Sequence, residues 1–428
     1  MQNSLTLKPV KHIFGELTLP GSKSISNRAL LLSALSKGQT ILKNLLYSDD
    51  TKYMLSALSK LGISYILDKK TMTCTVQGFS GPLFSKQKIK LFLGNAGTAM
   101  RPLLAVLSLK KNKIILTGEE RMQERPIHHL VDSLRQGGAK VDYLNKKKFP
   151  PLYLRGGFLG GKIIINGTIS SQFLSSLLIA APMADMDTEI VVQGTLVSKP
   201  YIDLTINLMK IFGVTVNILN DYKLFYILGN QKYISPQEYL VESDLSSATY
   251  FLAAAAIKGG CVKIHDIKNN SIQGDRYFID VLKQMGVSII WKKNVLICTK
   301  KKLFGITIDC NHIPDAAMTL AMLGLFAKQL VYIKNIYNWR VKETDRLYAM
   351  AKELKKVGAQ VQEGSDFIII HPVKKFFHAT IDTYNDHRMA MCFSLICLSG
   401  TPVTLLNPAC VNKTFPSFFE KFYSICHY

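Results

Sequence analysis

Six apolar, strand-like runs recur along this chain at a nearly constant interval, and that interval limits its fold more than any other feature. TILKN, IILTG, IVVQG, VKIHD, VYIKN and VTLLN end at Asn44, Gly118, Gly194, Asp266, Asn335 and Asn407, with spacings of 74, 76, 72, 69 and 72 residues. A second marker keeps the same period. Amphipathic stretches end at Gly62, Gly138, Gly213, Gly286 and Gly358, and the residues four and seven before each glycine are apolar, from Leu58 and Leu55 to Leu354 and Ala351. This is helical spacing with glycine at the C-terminal cap. A sixth glycine would fall just beyond residue 428, so the last copy is expected to be short. Two strand candidates near the start, Leu5–Val10 and Glu16–Pro20, are expected to supply what it lacks. The reading is therefore two three-copy α/β domains, 21–241 and 1–20 plus 242–428, with crossings near 20 and 242.

Composition narrows the class further. A chain that is 48% hydrophobic and 19% charged is globular, neither disordered nor fibrous. Its start, MQNSLTLKPV, lacks the pattern of a secretory signal, and its most apolar stretch, Ala248–Ile257, is too short to span a bilayer. A soluble, cytoplasmic protein is expected. The eight cysteines form no CxxC pair and no His-flanked cluster, so they are expected to be reduced and structural, with no metal. The net charge of +23 would suit nucleic acid, but the lysines fall in scattered runs such as Lys146–Lys148 and Lys300–Lys302. Solvated loop charge accounts for them, with a basic cleft for an anionic small molecule as the functional alternative.

A third marker points to a site. Each copy's most apolar helix opens near a small or acidic polar residue: Ser24, Thr98, Ser170, Ser246, Asp315 and Asp386. Helices apolar nearly all round should be buried, and parallel N-termini would present unpaired N–H groups and partial positive charge to an anion. Any single residue of this kind is also an ordinary cap. Arginine usage separates the two readings. Among 43 lysines and 10 arginines, seven arginines (28, 101, 121, 125, 340, 346, 388) lie in these helix starts or in GEERMQERP and NWRVKETDR. Arginine's planar fork grips carboxylate or phosphate in a way that lysine does not.

Eight segments then become recognisable in order: PGSKSISNRALLL (20–32), LFLGNAGTAMRP (91–102), RMQERPI (121–127), SSQFLSSLL (170–178), SKPYID (198–203), HIPDAAMT (312–319), NWRVKETDRL (338–347) and YNDHRMAM (384–391). Together they closely resemble the 5-enolpyruvylshikimate-3-phosphate synthase family, essentially end to end. The resemblance implies a two-domain inside-out α/β barrel of six βαβαββ-type units, three per domain. It also implies transfer of the enolpyruvyl group of phosphoenolpyruvate to the 5-hydroxyl of shikimate 3-phosphate, by addition then elimination of phosphate, with no cofactor. The implied partners are these two small molecules, with neither nucleic acid nor membrane, acting on a monomer.

The roles of individual residues follow from the same resemblance. Lys23 would lie between both substrates. Ser170, Ser171 and Ser198 would bind the shikimate phosphate. Ser24, Arg28, Gln172, Asn338 and Lys342 would hold its carboxylate or hydroxyls, and Tyr201 would pack along its ring. Arg125, Arg346, Arg388 and Lys413 would grip phosphoenolpyruvate together with Lys23 and Gln172, while Asn95 and Gly97 allow close backbone approach. Asp315, also a shikimate 3-phosphate contact, and Glu343 match the family's two catalytic carboxylates, with Lys23 or Lys342 assisting. Asp345 and Asp386 are as open to roles as caps or arginine partners as to direct catalysis, and His387 reads as a supporting or structural histidine rather than a general base. Glu242 and Asp244 at the second crossing read as hydrogen bonders, Asp244 facing the substrates in family terms. Gly97 and Pro102 match the family form sensitive to glyphosate.

Two rivals make different demands. The sister transferase acting on UDP-N-acetylglucosamine places a reactive cysteine in a first-domain loop, yet no cysteine occurs here between Cys74 and Cys261. PGSKS also replaces that enzyme's Lys-Asn start. An inactive basic scaffold for RNA would interleave aromatic with basic residues, and the lysine runs do not.

Overall fold

The computed structural model describes residues 3–428. They divide into two compact units, Gly21–Val241 and the residues up to Pro20 together with Glu242–Tyr428. The first, central unit carries α1 (Lys23–Leu35), α2 (Asp49–Lys60), α3 (Gly97–Leu107), α4 (His128–Gln136), α5 (Ser171–Ala180) and α6 (Lys199–Ile211). The second, discontinuous unit carries α7 (Leu245–Lys258), α8 (Tyr277–Gln284), α9 (Ala317–Gly324), α10 (Arg346–Lys356), α11 (His387–Phe393) and α12 (Phe418–Tyr423).

The odd-numbered helices are buried along almost their whole surface, as Ala253, Ala254, Ala255 and Ala256 of α7 illustrate. The even-numbered helices bury one stripe and leave the other polar. α4, for example, buries Leu130, Val131, Ser133 and Leu134. Five of these outer helices stop at the glycines picked out by spacing. Gly62, Gly138, Gly213, Gly286 and Gly358 have φ of +86°, +95°, +83°, +90° and +97°, a left-handed region that suits glycine. The next residue donates back to the carbonyl five residues earlier each time, as in Ile63 N to Leu58 O at 3.0 Å and Ala359 N to Leu354 O at 3.2 Å. That closes the helix ends.

All six apolar runs are strands, each central to a small sheet. The pattern is clear in the second copy. Ile89–Phe92 runs parallel to Ile114–Thr117, which pairs antiparallel with Leu152–Gly156, itself paired with Lys140–Tyr143. A parallel pair needs a crossover, and the buried helix α3 provides it. Each unit closes on itself by borrowing an edge strand from a distant part of its chain. Glu238–Leu240 lies parallel to Gln39–Lys43, and Gly15–Thr18 lies parallel to Cys261–His265. Ser4–Leu7 pairs antiparallel with Val403–Leu406, taking the place that a hairpin strand fills in the other copies.

Three details differ from the sequence reading. The N-terminal strands are shorter than Leu5–Val10 and Glu16–Pro20, and Val10 is instead a buried residue whose N–H donates to Cys397 O at 3.0 Å. The sixth copy keeps its outer helix, α12, without a glycine cap. Phe418 and Phe422 stack within it at 5.7 Å, and Cys426–His427 pairs with His12–Ile13 in a separate ribbon. The helix caps also shift. Ser170 and Asp386 do cap α5 and α11, whereas Asp244, not Ser246, caps α7 by accepting from Ser247 N at 3.0 Å. Ser24 and Thr98 lie inside their first turns behind Ser22 and Ala96, and Asp315 precedes Ala316 at the start of α9.

All eight cysteines are free thiols. Burial pushes those of Cys74, Cys298, Cys392, Cys410 and Cys426 up to about 12, far from a reactive thiolate. No helix among the described residues is long and apolar enough to cross a membrane.

Candidate active site

In the central unit the starts of α1, α3 and α5 are tied to one another and to α6. Asn27 on α1 donates to Thr98 Oγ1 on α3 at 2.7 Å. Arg28, also on α1, donates through Nε to Thr205 Oγ1 on α6 at 2.8 Å, through Nη2 to Ser175 Oγ on α5 at 3.5 Å, and to Ser24 O at 3.0 Å. The Thr205 hydroxyl in turn donates to Tyr201 O at 2.7 Å, so Ser24, Arg28 and Tyr201 form one chain of contacts. Burial lowers the Arg28 guanidinium to about 10, against a small opposing effect of Tyr201. Among the described residues its hydrogen-bond partners are neutral, and no carboxylate pairs with it.

A second cluster gathers around Gly97. A Cβ built there would lie 2.3 Å from Arg101 Nη1, 3.0 Å from Arg125 Nη2 and 3.1 Å from Gln172 Oε1. Only a residue without a side chain lets these polar groups converge on the α3 N-terminus. Arg125, itself 3% exposed, donates to Asn95 Oδ1 at 2.9 Å and Asn95 O at 3.1 Å. Ser170 Oγ accepts from Gln172 N at 3.2 Å, and Ser171 follows it on the first turn of α5. Ser198 begins α6 in a left-handed conformation, φ 57°, unusual for a residue with a side chain and a form of local strain found at functional sites. Lys23, at the first position of α1, lies 3.6 Å from Asp50 Oδ2.

The discontinuous unit gathers carboxylates and cations around Asp315. Its Oδ1 accepts from Arg346 Nη1 at 3.0 Å and lies 3.6 Å from Lys342 Nζ; its Oδ2 accepts from Arg388 Nη2 at 2.9 Å. Arg346 also donates to Glu343 Oε2 at 3.0 Å and to Asp386 Oδ2 at 2.7 Å. Burial alone would weaken this guanidinium, but Asp386, Glu343 and Asp315 outweigh it and hold it above its usual basicity. The segment carrying Lys342 and Glu343 is pinned by Trp339, a fully buried ring whose Nε1 donates to Pro314 O at 2.6 Å, next to Asp315. Asn338 is buried on the same turn, and Lys413 ends a buried turn packed against α11.

Asp345 and Asp386 take the ordinary roles open to them. Asp345 caps α10 through Tyr348 N at 3.1 Å and pairs with Arg340 at 2.9 Å, while Asp386 caps α11 and supports Arg346. His387 is fully buried, 3.4 Å from Asp386 Oδ1. Arg340 clamps the carbonyls of Ser365 and Gly364 in a later hairpin, and Arg121 pairs with Glu124 at 2.9 Å. Glu242 accepts from Ser271 Oγ at 2.5 Å and Gln273 Nε2 at 3.1 Å.

Sequence reasoning missed three groups around these clusters. Asp50 opposes Lys23, and the Tyr250 hydroxyl accepts from Arg388 Nη1 at 3.2 Å. Ser246 donates to Asp275, a carboxylate 4% exposed. The signal for Asp275 is positional, because it lies in the loop after a central strand, as Arg125 and Lys342 do.

Burial, with Asp315 nearby, raises Asp275 from the usual 3.8 to about 6. Between these two values the unfolded chain releases the proton before the folded one does, so stability falls as pH rises from about 4 to about 6. At roughly 1.4 kcal/mol per pH unit the penalty above pH 6 reaches up to about 3 kcal/mol. Asp275→Asn keeps an acceptor for Ser246 and removes that penalty. The variant is expected to be more stable than the parent at pH 7.5, with the difference gone near pH 4. Urea melts at both values check it, and a difference independent of pH would contradict it.

Buried helix starts, paired arginine clusters and two closed three-copy α/β units define an anion-handling transferase of the enolpyruvyl transferase fold. A family profile described as EPSP synthase (3-phosphoshikimate 1-carboxyvinyltransferase) matches residues 7–422. The 3-phosphoshikimate 1-carboxyvinyltransferase of Buchnera aphidicola subsp. Cinara cedri is 75% identical over 428 residues, covering 100% of this chain and 98% of that one. The Salmonella paratyphi A protein of the same name is 60% identical over 418 residues, 98% of each chain. The solved EPSP synthase of Acinetobacter baumannii superposes with a TM-score of 0.81 at 28% identity, over 99% of this chain and 98% of the other. The enolpyruvyl transferase NikO of Streptomyces tendae, at 15% identity and a TM-score of 0.78 over 99% of this chain and 97% of that one, shares the fold. The chain belongs to the EPSP synthase (3-phosphoshikimate 1-carboxyvinyltransferase) family.

Proposed function

We propose that this chain transfers the enolpyruvyl group of phosphoenolpyruvate to the 5-hydroxyl of shikimate 3-phosphate and releases phosphate. It would do so as a cytoplasmic monomer acting on these two small molecules, with neither nucleic acid nor membrane as partner. The observation that carries this reading is the Asp315 carboxylate held by Arg346, Arg388 and Lys342, with Glu343 on the same arginine.

The reaction adds the hydroxyl oxygen to C2 of phosphoenolpyruvate while C3 gains a proton, giving a tetrahedral intermediate. Phosphate then leaves and C3 returns a proton. Asp315, held among Arg346, Arg388 and Lys342, is the base for the hydroxyl. Glu343, buried at 8% exposure, is the carboxyl that serves C3, with Lys23 and Lys342 as assisting ammonium groups. Arg125, Arg346, Arg388 and Lys413 would bind the phosphate and carboxylate of phosphoenolpyruvate, with Asn95, Gly97 and Gln172 beside them. Ser170, Ser171 and Ser198 would take the shikimate phosphate, and Ser24, Arg28, Asn338, Lys342 and Tyr201 the rest of that substrate. Charge comes from side chains and helix ends, so the reading requires no metal or organic cofactor.

Purified protein given both substrates should release phosphate, and glyphosate should inhibit it, as Gly97 and Pro102 imply. Folded protein that releases none overturns the reading; release that glyphosate leaves untouched overturns only the assignment of the phosphoenolpyruvate pocket.

A further inference from the structure

One basic surface of the discontinuous unit takes no part in the proposed reaction. A recess of about 820 Å³ lies between the loop that follows the strand Cys261–His265 and the turn joining the strands Ser288–Lys292 and Val295–Thr299. Lys268, Arg276 and Lys293 line it, together with the amides of Asn269, Asn270 and Asn294. No carboxylate lines it. None of the three cations forms an ion pair with any described residue, whereas Arg340, Lys342 and Lys356 of the same unit each do. The acid nearest in the loop's own network, Glu242, is already occupied by Ser271 and Gln273. Asp275 likewise accepts from Ser246.

The two walls are fixed to each other and to the fold. Ile267 N donates to Asn294 O at 3.1 Å, and Asp266 and Lys293 both hold left-handed backbone conformations, φ 58° and 53°. The loop is also fastened to the start of α7, where Gln273 Oε1 accepts from Leu245 N at 3.1 Å. It therefore sits at the end of the unit where the buried helices begin, as do the corresponding loops of the next two copies, which carry Lys342 and Lys413. Like-charged side chains converging without an internal counter-ion repel one another until an anion is present. Two ammonium groups and a guanidinium carry donors and no acceptor, and the asparagine amides can add N–H donors to the oxygens of an anion.

We propose that this recess is a second anion site, separate from the Asp315 cluster, which binds a small phosphorylated anion carrying two or more negative charges. Inorganic pyrophosphate is a suitable probe. Calorimetric titration at low salt should show a binding event that weakens at least tenfold in the Lys268→Ala/Arg276→Ala/Lys293→Ala variant and fades as ionic strength rises. The same variant should keep its rate of phosphate release from the two substrates within about twofold, since none of the three cations belongs to the proposed machinery. Should the triple variant melt at a lower temperature, Lys293→Glu at the exposed turn gives the same readout. Unchanged pyrophosphate binding in either variant overturns the proposal. So does equal weakening in a charge-matched Lys110→Ala/Lys111→Ala/Lys113→Ala control, which would assign the effect to net charge. Loss of turnover together with binding also overturns it, by merging the recess with the active site. The titration needs no catalysis, so failure of the proposed reaction would leave this test intact.

Discussion

Replacing Arg346 by Ala is expected to lower the stability of the folded chain by roughly 3–5 kcal/mol, the loss typical when one partner of a buried ion pair is removed. The guanidinium is 1% exposed and donates to three carboxylates. Without it Asp386, fully buried, and Glu343, at 8% exposure, each lose a buried cationic partner. Asp386 has a second duty, accepting from Arg388 N at 2.9 Å to cap α11, so its protonation or displacement also frays the helix that carries Arg388. Lysine should not rescue the change, because one ammonium cannot span three carboxylates that a planar fork reaches with separate N–H groups. The defect should carry a pH signature. Stranded carboxylates take up protons as pH falls, so the gap between variant and parent is expected to narrow from pH 8 toward pH 5. Guanidinium chloride melts at both pH values measure this, and a deficit below about 1 kcal/mol at pH 8 would mean that the cluster relaxes to water at little cost.

The spacing of glycines and apolar runs was enough to place five helix ends and six central strands, because both signals rest on local backbone chemistry. A left-handed residue after Leu61 or Val357 strongly favours glycine wherever the chain is, and the strand before Asn335 alternates buried Val331 and Ile333 with half-buried Tyr332 and Lys334. What depended on contacts distant in sequence was not legible. DLSS offers two capping side chains within three residues. Asp244 caps α7 because its N–H is already fixed by Pro20 O at 2.9 Å, a partner more than two hundred residues away. Asp275 reads as one more loop acid until α7 brings Ser246 and α9 brings Asp315 near it. Arg340 shows the same dependence on distant contacts, because its guanidinium donates to Ser365 O and Gly364 O in a hairpin more than twenty residues on. The eight motifs made the site residues available as a set, while the division of labour among carboxylates became arguable only once Arg346 was seen to join Asp315, Glu343 and Asp386.

Arg28 should behave in the opposite way to Arg346, although both are buried arginines near helix starts. Arg28 is 6% exposed, and burial depresses it to about 10 because only hydroxyls and a carbonyl surround it. Among the described residues it is a desolvated charge with no carboxylate beside it, an arrangement that costs stability and suits an anionic ligand. Arg28→Met, which keeps much of the apolar stem, is therefore expected to leave the melting temperature unchanged or raise it. Affinity for shikimate 3-phosphate should fall by roughly 100- to 1,000-fold, about 3–4 kcal/mol, the scale of a charge-assisted bidentate contact with a buried partner. Saturating shikimate 3-phosphate should raise the melting temperature of the parent and leave that of the variant nearly unmoved, because a ligand stabilises only the state that binds it. A variant that melts several degrees lower yet binds the substrate normally would show that Arg28 is a structural strut between α1 and α6. Lost affinity at undiminished stability would show that the fold holds this cation in reserve for its ligand.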